Sequence, residues 1–357
     1  MGTVIVEQLK PGDKLEEDVL TSSGNVLLQK GKVISSRELE ILQAFLISNV
    51  KIENSAADPK AAEETVEEPA PAAKGQAPAT PLQQEYEKMI EVLRTIFNSQ
   101  VTGQGMPIMD IRVQLEKLLQ YIESYKVLSF VPRPFPERDY LLHNSVESAM
   151  TSYLIAQWVG FPQKEWMQVA LAGLLKDIGN VRIDKGILYK PNGLTQDEAE
   201  EMKRHTVLGY QLLKNVAALN EGVKLAALQH HEKIDGSGYP LGIDSTKIHP
   251  YAKIVGIADI FHAMTLNKSY RKAASPYLVL EQLMSESFGK LDAGYVRTFV
   301  EKVTQISNGT FVRLSDDRVG EIVFCERSYP TRPWVSVDGT IVNLTVERNL
   351  HIKEVVK

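Results

Sequence analysis

A single cysteine, Cys325, in 357 residues leaves no internal disulfide to form, so a secreted, disulfide-stapled scaffold is excluded. No apolar run approaches the roughly 20 residues that cross a bilayer. The longest, at 169–175, has only the length of a short buried helix. The first residues, Met1-Gly2-Thr3-Val4-Ile5-Val6-Glu7, carry neither a basic stretch nor a long apolar one. No signal peptide is therefore expected, and a cytoplasmic location is. Positive charge is not in excess either. A formal net charge of −5 argues against long DNA or RNA as a partner, because holding it takes many phosphate-neutralising cations. A small phosphodiester needs only a local basic pocket and stays open. What is present, 43% hydrophobic and 24% charged residues, is ordinary globular composition, and the length predicts two or three compact units.

Along the chain, residues 1–53 read as a small α/β module. Val4-Ile5-Val6, Asn25-Val26-Leu27-Leu28 and Asn49-Val50-Lys51-Ile52 suit strands, and Ser35-Ser36-Arg37-Glu38 opens a helix with serine caps and an acid in the first turn. Residues 54–83 are dominated by Ala, Pro and Glu, and read as a disordered linker that buries too little apolar surface to offset its ordering entropy. The helical domain spans 84–305. It begins with two apolar stripes, one at Tyr86, Met89, Ile90, Leu93, Ile96 and Phe97, the other at Leu115, Leu118, Leu119, Ile122 and Tyr125. These stripes suit a domain core, with a homodimer seam as the second reading. Residues 306–357 return to alternation, as in Phe311-Val312-Arg313-Leu314 and Trp334-Val335-Ser336-Val337, and predict a small antiparallel β module. The fold class expected is mainly α, with small β-rich modules at both ends that could serve a protein partner.

The chemistry concentrates around His230-His231, which ends an apolar helical run and precedes the loop Asp235-Gly236-Ser237-Gly238-Tyr239-Pro240. Imidazole is the commonest metal ligand, since its neutral nitrogen offers a lone pair at physiological pH. An isolated histidine is more often a satisfied core residue. Here, however, His143, Asp177, His205 and Asp259 recur on successive helical segments. One ligand per helix, converging inside a bundle, is a common way to build a metal site. Four imidazoles and two carboxylates suit iron, manganese or zinc better than calcium.

Together these residues carry a resemblance. His143, Leu175-Lys176-Asp177-Ile178-Gly179, Leu188-Tyr189-Lys190-Pro191, Met202-Lys203-Arg204-His205, His230-His231-Glu232 with the Gly-Tyr-Pro loop, and Ala258-Asp259-Ile260-Phe261 resemble the HD-GYP family. This is the branch of the HD phosphohydrolases that hydrolyses cyclic di-GMP. The resemblance covers residues 136–275 and implies an HD-type helical bundle. It further implies a two-metal site: Asp177, His205, His230 and His231 for one ion, and His143, Asp177, Asp259 and the histidine of the His-Asp dyad for the other. In this chain the dyad position is Lys176. Asn180 stands where the family commonly has a lysine, and His262 stands in place of a second aspartate. Asp139 lies one turn before His143, where some members carry an acidic ligand, although acids at helix starts also arise for dipole reasons. By the same resemblance Lys268 and Arg271 contact ligand phosphates, and Tyr239 bonds to or stacks on a guanine.

A lysine ammonium, with an ordinary pKa near 10.4, has no free lone pair at neutral pH. Beside a dication it is repelled unless it loses its proton. Alternatively it replaces the missing cation and neutralises Asp177 and Asp259 itself. Either way, one iron or manganese ion in the Asp177/His205/His230/His231 site is expected, and a second is in doubt. The resemblance thus implies a metal-dependent phosphodiesterase of the cyclic di-GMP class with impaired or conditional turnover, or else a non-catalytic cyclic di-GMP sensor.

Overall fold

The structure is a computed structural model. It describes residues 2–20, 26–45, 47, 49–53, 79–101, 106–266, 273–305 and 309–356. The linker expected at 54–83 falls mostly outside these residues. So do Lys268 and Arg271.

The chain divides into two units, and the division does not follow the order of the sequence. The first joins residues 1–78 with 308–350. Its strands are β1 (Gly2–Ile5), β2 (Lys14–Leu15), β3 (Val19–Leu20) and β4 (Val26–Leu28), followed by helix α1 (Ser36–Ala44) and strand β5 (Asn49–Glu53). β1 and β2 flank β5, both antiparallel to it. From the C-terminal part come β6 (Phe311–Leu314), β7 (Val319–Phe324), β8 (Trp334–Val337) and β9 (Thr340–Asn343), paired in sequence order as an antiparallel meander. The sequence reads the two parts as separate modules, whereas here they share one core. Leu15, Ile34, Ile41, Leu42 and Val50 cluster with Val323 and Phe324. Phe45 stacks on Trp334 with ring centroids 3.9 Å apart. The physical reason is size: a segment of some fifty residues buries little of its own surface, and two of them pooled bury more.

The second unit, residues 79–307 with 351–357, holds the other α-helices of the described residues. They are α2 (Pro81–Val101), α3 (Ile108–Leu119), α4 (Tyr140–Trp158), α5 (Gln163–Leu175), α6 (Lys185–Leu188), α7 (Gln196–Lys203), α8 (His205–Leu213), α9 (Glu221–Gln229), α10 (Pro250–Thr265), α11 (Pro276–Glu286) and α12 (Ala293–Gln305), with the short strand β10 (Ile352–Val355) after them. The expected fold class, a helical bundle with small β elements, is what the chain adopts.

Helix α4 is the axis of this unit, with buried residues on every face and α2, α5, α10 and α12 around it. The stripe Tyr86, Met89, Ile90, Leu93 and Ile96 of α2 lies in the same core. In the second stripe, α3 ends at Leu119 and a 3-10 turn carries Ile122. Loop chemistry sets the helix starts. Thr195 and Glu198 form a capping box on α7, Asn220 accepts from the Val223 amide on α9, and His249 accepts from the Tyr251 amide on α10 ahead of Pro250. His249 is thus a helix cap.

Candidate metal centre and nucleotide pocket

Asp177 follows α5 and leads into the 3-10 turn Ile178–Arg182. That turn reaches α8 only because residue 179 is glycine: a Cβ there would lie 1.9 Å from the His205 carbonyl oxygen. Gly256 does the same on α10, where a Cβ would lie 2.8 Å from the His230 carbonyl oxygen. Two absent side chains therefore let three backbone segments meet.

Where they meet, one ligand atom each from Asp177, His205, His230 and His231 lie within 4.8 Å of one another. The three segments also fix how two of the rings present themselves. His205 turns Nδ1 to the Met202 carbonyl at 2.7 Å, and His230 turns Nδ1 to the Ala226 and Ala227 carbonyls at 3.1 and 3.2 Å. A carbonyl only accepts, so each Nδ1 carries the proton and each Nε2 is left with a lone pair. Those Nε2 atoms lie 3.5 and 3.7 Å from Asp177 Oδ1. Burial holds His205 and His231 below the ordinary imidazole range, and neighbouring imidazoles add to the effect, so both rings are neutral donors. Burial alone would raise Asp177, but the Lys176 ammonium holds it well below the usual carboxylate range. Neutral nitrogens and an ionised carboxylate, with the ring protons already bonded elsewhere, fit a divalent transition metal.

Lys176 is fully buried beside this cluster. Its Nζ donates to Asp177 Oδ2, to Asn144 Oδ1 at 2.5 Å and to Asp259 Oδ1 at 2.7 Å. Burial would lower the lysine pKa, but the two carboxylates raise it above its ordinary range, so the nitrogen is an ammonium. Asn180, the other replaced family position, donates Nδ2 to the Asp177 main-chain oxygen at 3.1 Å and to its Oδ1 at 3.3 Å.

The remaining expected residues sit around this centre. His143 is buried with its ring stacked on Phe135, centroids 3.5 Å apart, and its Nδ1 is 2.8 Å from the Tyr86 hydroxyl. That hydroxyl donates its one proton to Glu147 Oε1 at 3.3 Å, so it accepts from His143 Nδ1, and His143 Nε2 keeps its lone pair. Burial, followed by the Arg94 charge, pushes the His143 pKa down to about 4. Glu147 Oε2 lies 3.0 Å from Nδ1 of His262, whose Nε2 is 2.7 Å from Thr151 Oγ1. His262 therefore stands at the far end of a chain of contacts leading to His143. Asp139 is ion-paired with Arg94 at 3.0 Å and does not join the four-ligand cluster. Tyr239 stacks on His231, centroids 4.7 Å apart, and Lys203 Nζ lies 5.6 Å from the center of its ring. Glu232 anchors the loop after Tyr239, accepting from the Leu241 and Ile243 amides at 2.6 and 3.2 Å.

Sequence reading misses Asn144, Tyr86 and Glu147. Tyr86 is read as one more apolar position of a stripe. Its hydroxyl is the signal that could have separated it, because a buried phenol needs a partner.

Asp177, His205, His231, Tyr239 and Asp259 line a cavity of about 420 Å³. Among the described residues, no helix is long and apolar enough to cross a membrane.

Residues 137–293 match the family model described as HD domain. The chain is 31% identical to "Cyclic di-GMP phosphodiesterase PA4108" of Pseudomonas aeruginosa over 185 residues, 52% of this chain and 44% of that protein. It is 39% identical to "Cyclic di-GMP phosphodiesterase response regulator RpfG" of Xanthomonas campestris over 123 residues, 34% of this chain and 32% of that one. The chain thus spans less than half of either relative. The solved structure of Bd1817, an HDG"Y"P protein from Bdellovibrio bacteriovorus, matches with a TM-score of 0.50 at 16% identity, over 84% of this chain and 97% of that chain. That likeness concerns the fold. Residues 137–293 of the helical unit are an HD domain. The likeness to these relatives supports the HD-GYP resemblance carried by the sequence.

Proposed function

We propose that this protein acts on cyclic di-GMP as an HD-GYP-type metal-dependent phosphodiesterase whose turnover is restrained by Lys176. The observation that carries this reading is the buried ammonium shared between Asp177 and Asp259, next to a complete Asp177/His205/His230/His231 ligand set. The curated relatives named as cyclic di-GMP phosphodiesterases support the substrate class.

An iron or manganese ion held by those four groups would supply Lewis-acid polarisation of a phosphoryl oxygen and acidify water. Lys176 holds a fixed positive charge behind Asp177 and Asp259 but cannot acidify water as a dication would. Neutral His205 and His231 keep lone pairs for an ion, His230 turns its Nε2 to the same centre, Asn180 and Lys176 hold Asp177 ionised, and Tyr239 offers an aromatic face to a guanine. With one cation replaced by an ammonium, a deficit of a few kcal/mol in transition-state stabilisation corresponds to a rate lower by roughly 10² to 10⁴.

A second reading, a cyclic di-GMP sensor without turnover, draws on the same ammonium, because its three acceptors leave it fully satisfied. Anaerobic incubation of the full chain with manganese or iron(II) and cyclic di-GMP, beside a Lys176→His variant, separates the two. Slow product from the unmodified chain and faster product from the variant support the enzyme. Tight binding with product from the variant alone supports the sensor. If neither protein binds or cleaves cyclic di-GMP, both readings fall.

A further inference from the structure

A cyclic dinucleotide carries two phosphodiesters, and the metal cluster can engage only one. The second brings another negative charge into a partly enclosed pocket and needs a cation of its own. Among the described residues lining the site cavity, Arg138 is the one arginine or lysine. It lies in the turn Glu137–Asp139 ahead of α4, is exposed, and makes no ion pair with any described residue. Arg94 nearby is different, being committed to Glu91 and Asp139.

Arg138 also lines a second cavity, of about 640 Å³. The two cavities share Arg138, Leu141, Asn180, Leu188 and Tyr189, so they adjoin along one wall. The second cavity is also lined by Lys185, likewise exposed. A ligand with two nucleotides is therefore offered two adjoining chambers with a free guanidinium on the partition and a phenol beside it. A guanidinium is the donor best matched to a phosphodiester, since its planar fork meets two non-bridging oxygens at once.

We propose that Arg138 receives the second phosphate of a bound cyclic dinucleotide, with one nucleotide at the metal cluster and the other in the adjoining chamber. This rests on the ligand class proposed above. The test is titration calorimetry of the manganese-loaded full chain with cyclic di-GMP and, separately, with GMP, for the unmodified protein, Arg138→Gln and Arg138→Lys. Arg138→Gln should weaken cyclic di-GMP by about tenfold or more while leaving GMP within about twofold, and Arg138→Lys should recover part of the loss. Equal loss for both ligands would put Arg138 at the first phosphate and overturn the inference. Unchanged cyclic di-GMP binding in Arg138→Gln would overturn it too, with the ligand class intact. Failure of the unmodified chain to bind cyclic di-GMP would remove the ligand class and the inference together.

Discussion

The ammonium of Lys176 lies 2.7 Å from the carboxylate of Asp259, inside the bundle and away from water. Because Asp177 shares the same ammonium, replacing Lys176 with methionine leaves two buried carboxylates uncompensated. Breaking a buried pair by removing one partner costs about 3–5 kcal/mol. Lys176→Met should show that loss in urea denaturation with a chelator present, and added manganese should restore part of it. A variant as stable as the parent in chelator would contradict the pairing.

Metal stoichiometry is the next expectation. With Lys176 filling one side of the centre, the unmodified chain should take up a single manganese ion, and His205→Ala or His230→Ala should abolish that uptake, because each removes an Nε2 from the cluster. Equilibrium dialysis with metal analysis checks both. A stoichiometry of two would show that the ammonium does not exclude a second ion.

Lys176→His should admit that second ion, since Asp259 is freed and His143 is already turned by Tyr86. In the double variant Tyr86→Phe, Lys176→His, the added ion should bind about 10–100-fold more weakly, the usual effect of losing an orienting partner. Dialysis at graded manganese concentrations gives the comparison.

The shared core of the first unit makes a different prediction. Deleting residues 309–350 removes Phe324 and Trp334 from Phe45 and should leave residues 2–53 without protection in amide hydrogen exchange. The milder Trp334→Ala should lose at least the value of the aromatic pair, about 0.5–1.5 kcal/mol. Persistent protection after the deletion would mean that the N-terminal segment closes its own core.

Acid should weaken the start of α1. Burial alone would raise the Glu38 pKa, but the Ser35 hydroxyl and amide and the Lys32 charge outweigh it, so the carboxylate titrates below its ordinary 4.5. A depressed folded pKa gives stability that is present above 4.5 and lost as the pH falls through the lower folded value. Glu38→Ala should therefore cost about 1 kcal/mol near neutrality and progressively less in acid, read from denaturation midpoints across that range.

Much of this centre could be read in the chain itself. His205, His230, His231 and Asp177 stand in an ordered motif with helical spacing between them, and the structure brings all four together. The first turn of α1 could be read from Ser35 and Glu38, because a cap is a contact between near neighbours. Asn144 could not: it sits one residue after His143, and nothing local marks it as an acceptor for Lys176. Tyr86 was hidden by its apolar neighbours. The pairing of the two ends through Phe45 and Trp334 leaves no local trace, since neither segment's pattern records which surface covers it. Sequence periodicity reports that a face is buried, and long-range partners have to be found by packing.

Lys176 also changes what the pocket depends on. A bound ion can be chelated, displaced by another metal, or changed in oxidation state, and a centre that relies on two of them follows the supply of both. A lysine side chain carries its ammonium from the moment the protein folds. One of the cations that Asp177 and Asp259 face is therefore inherited with the polypeptide, and it persists when metal is scarce.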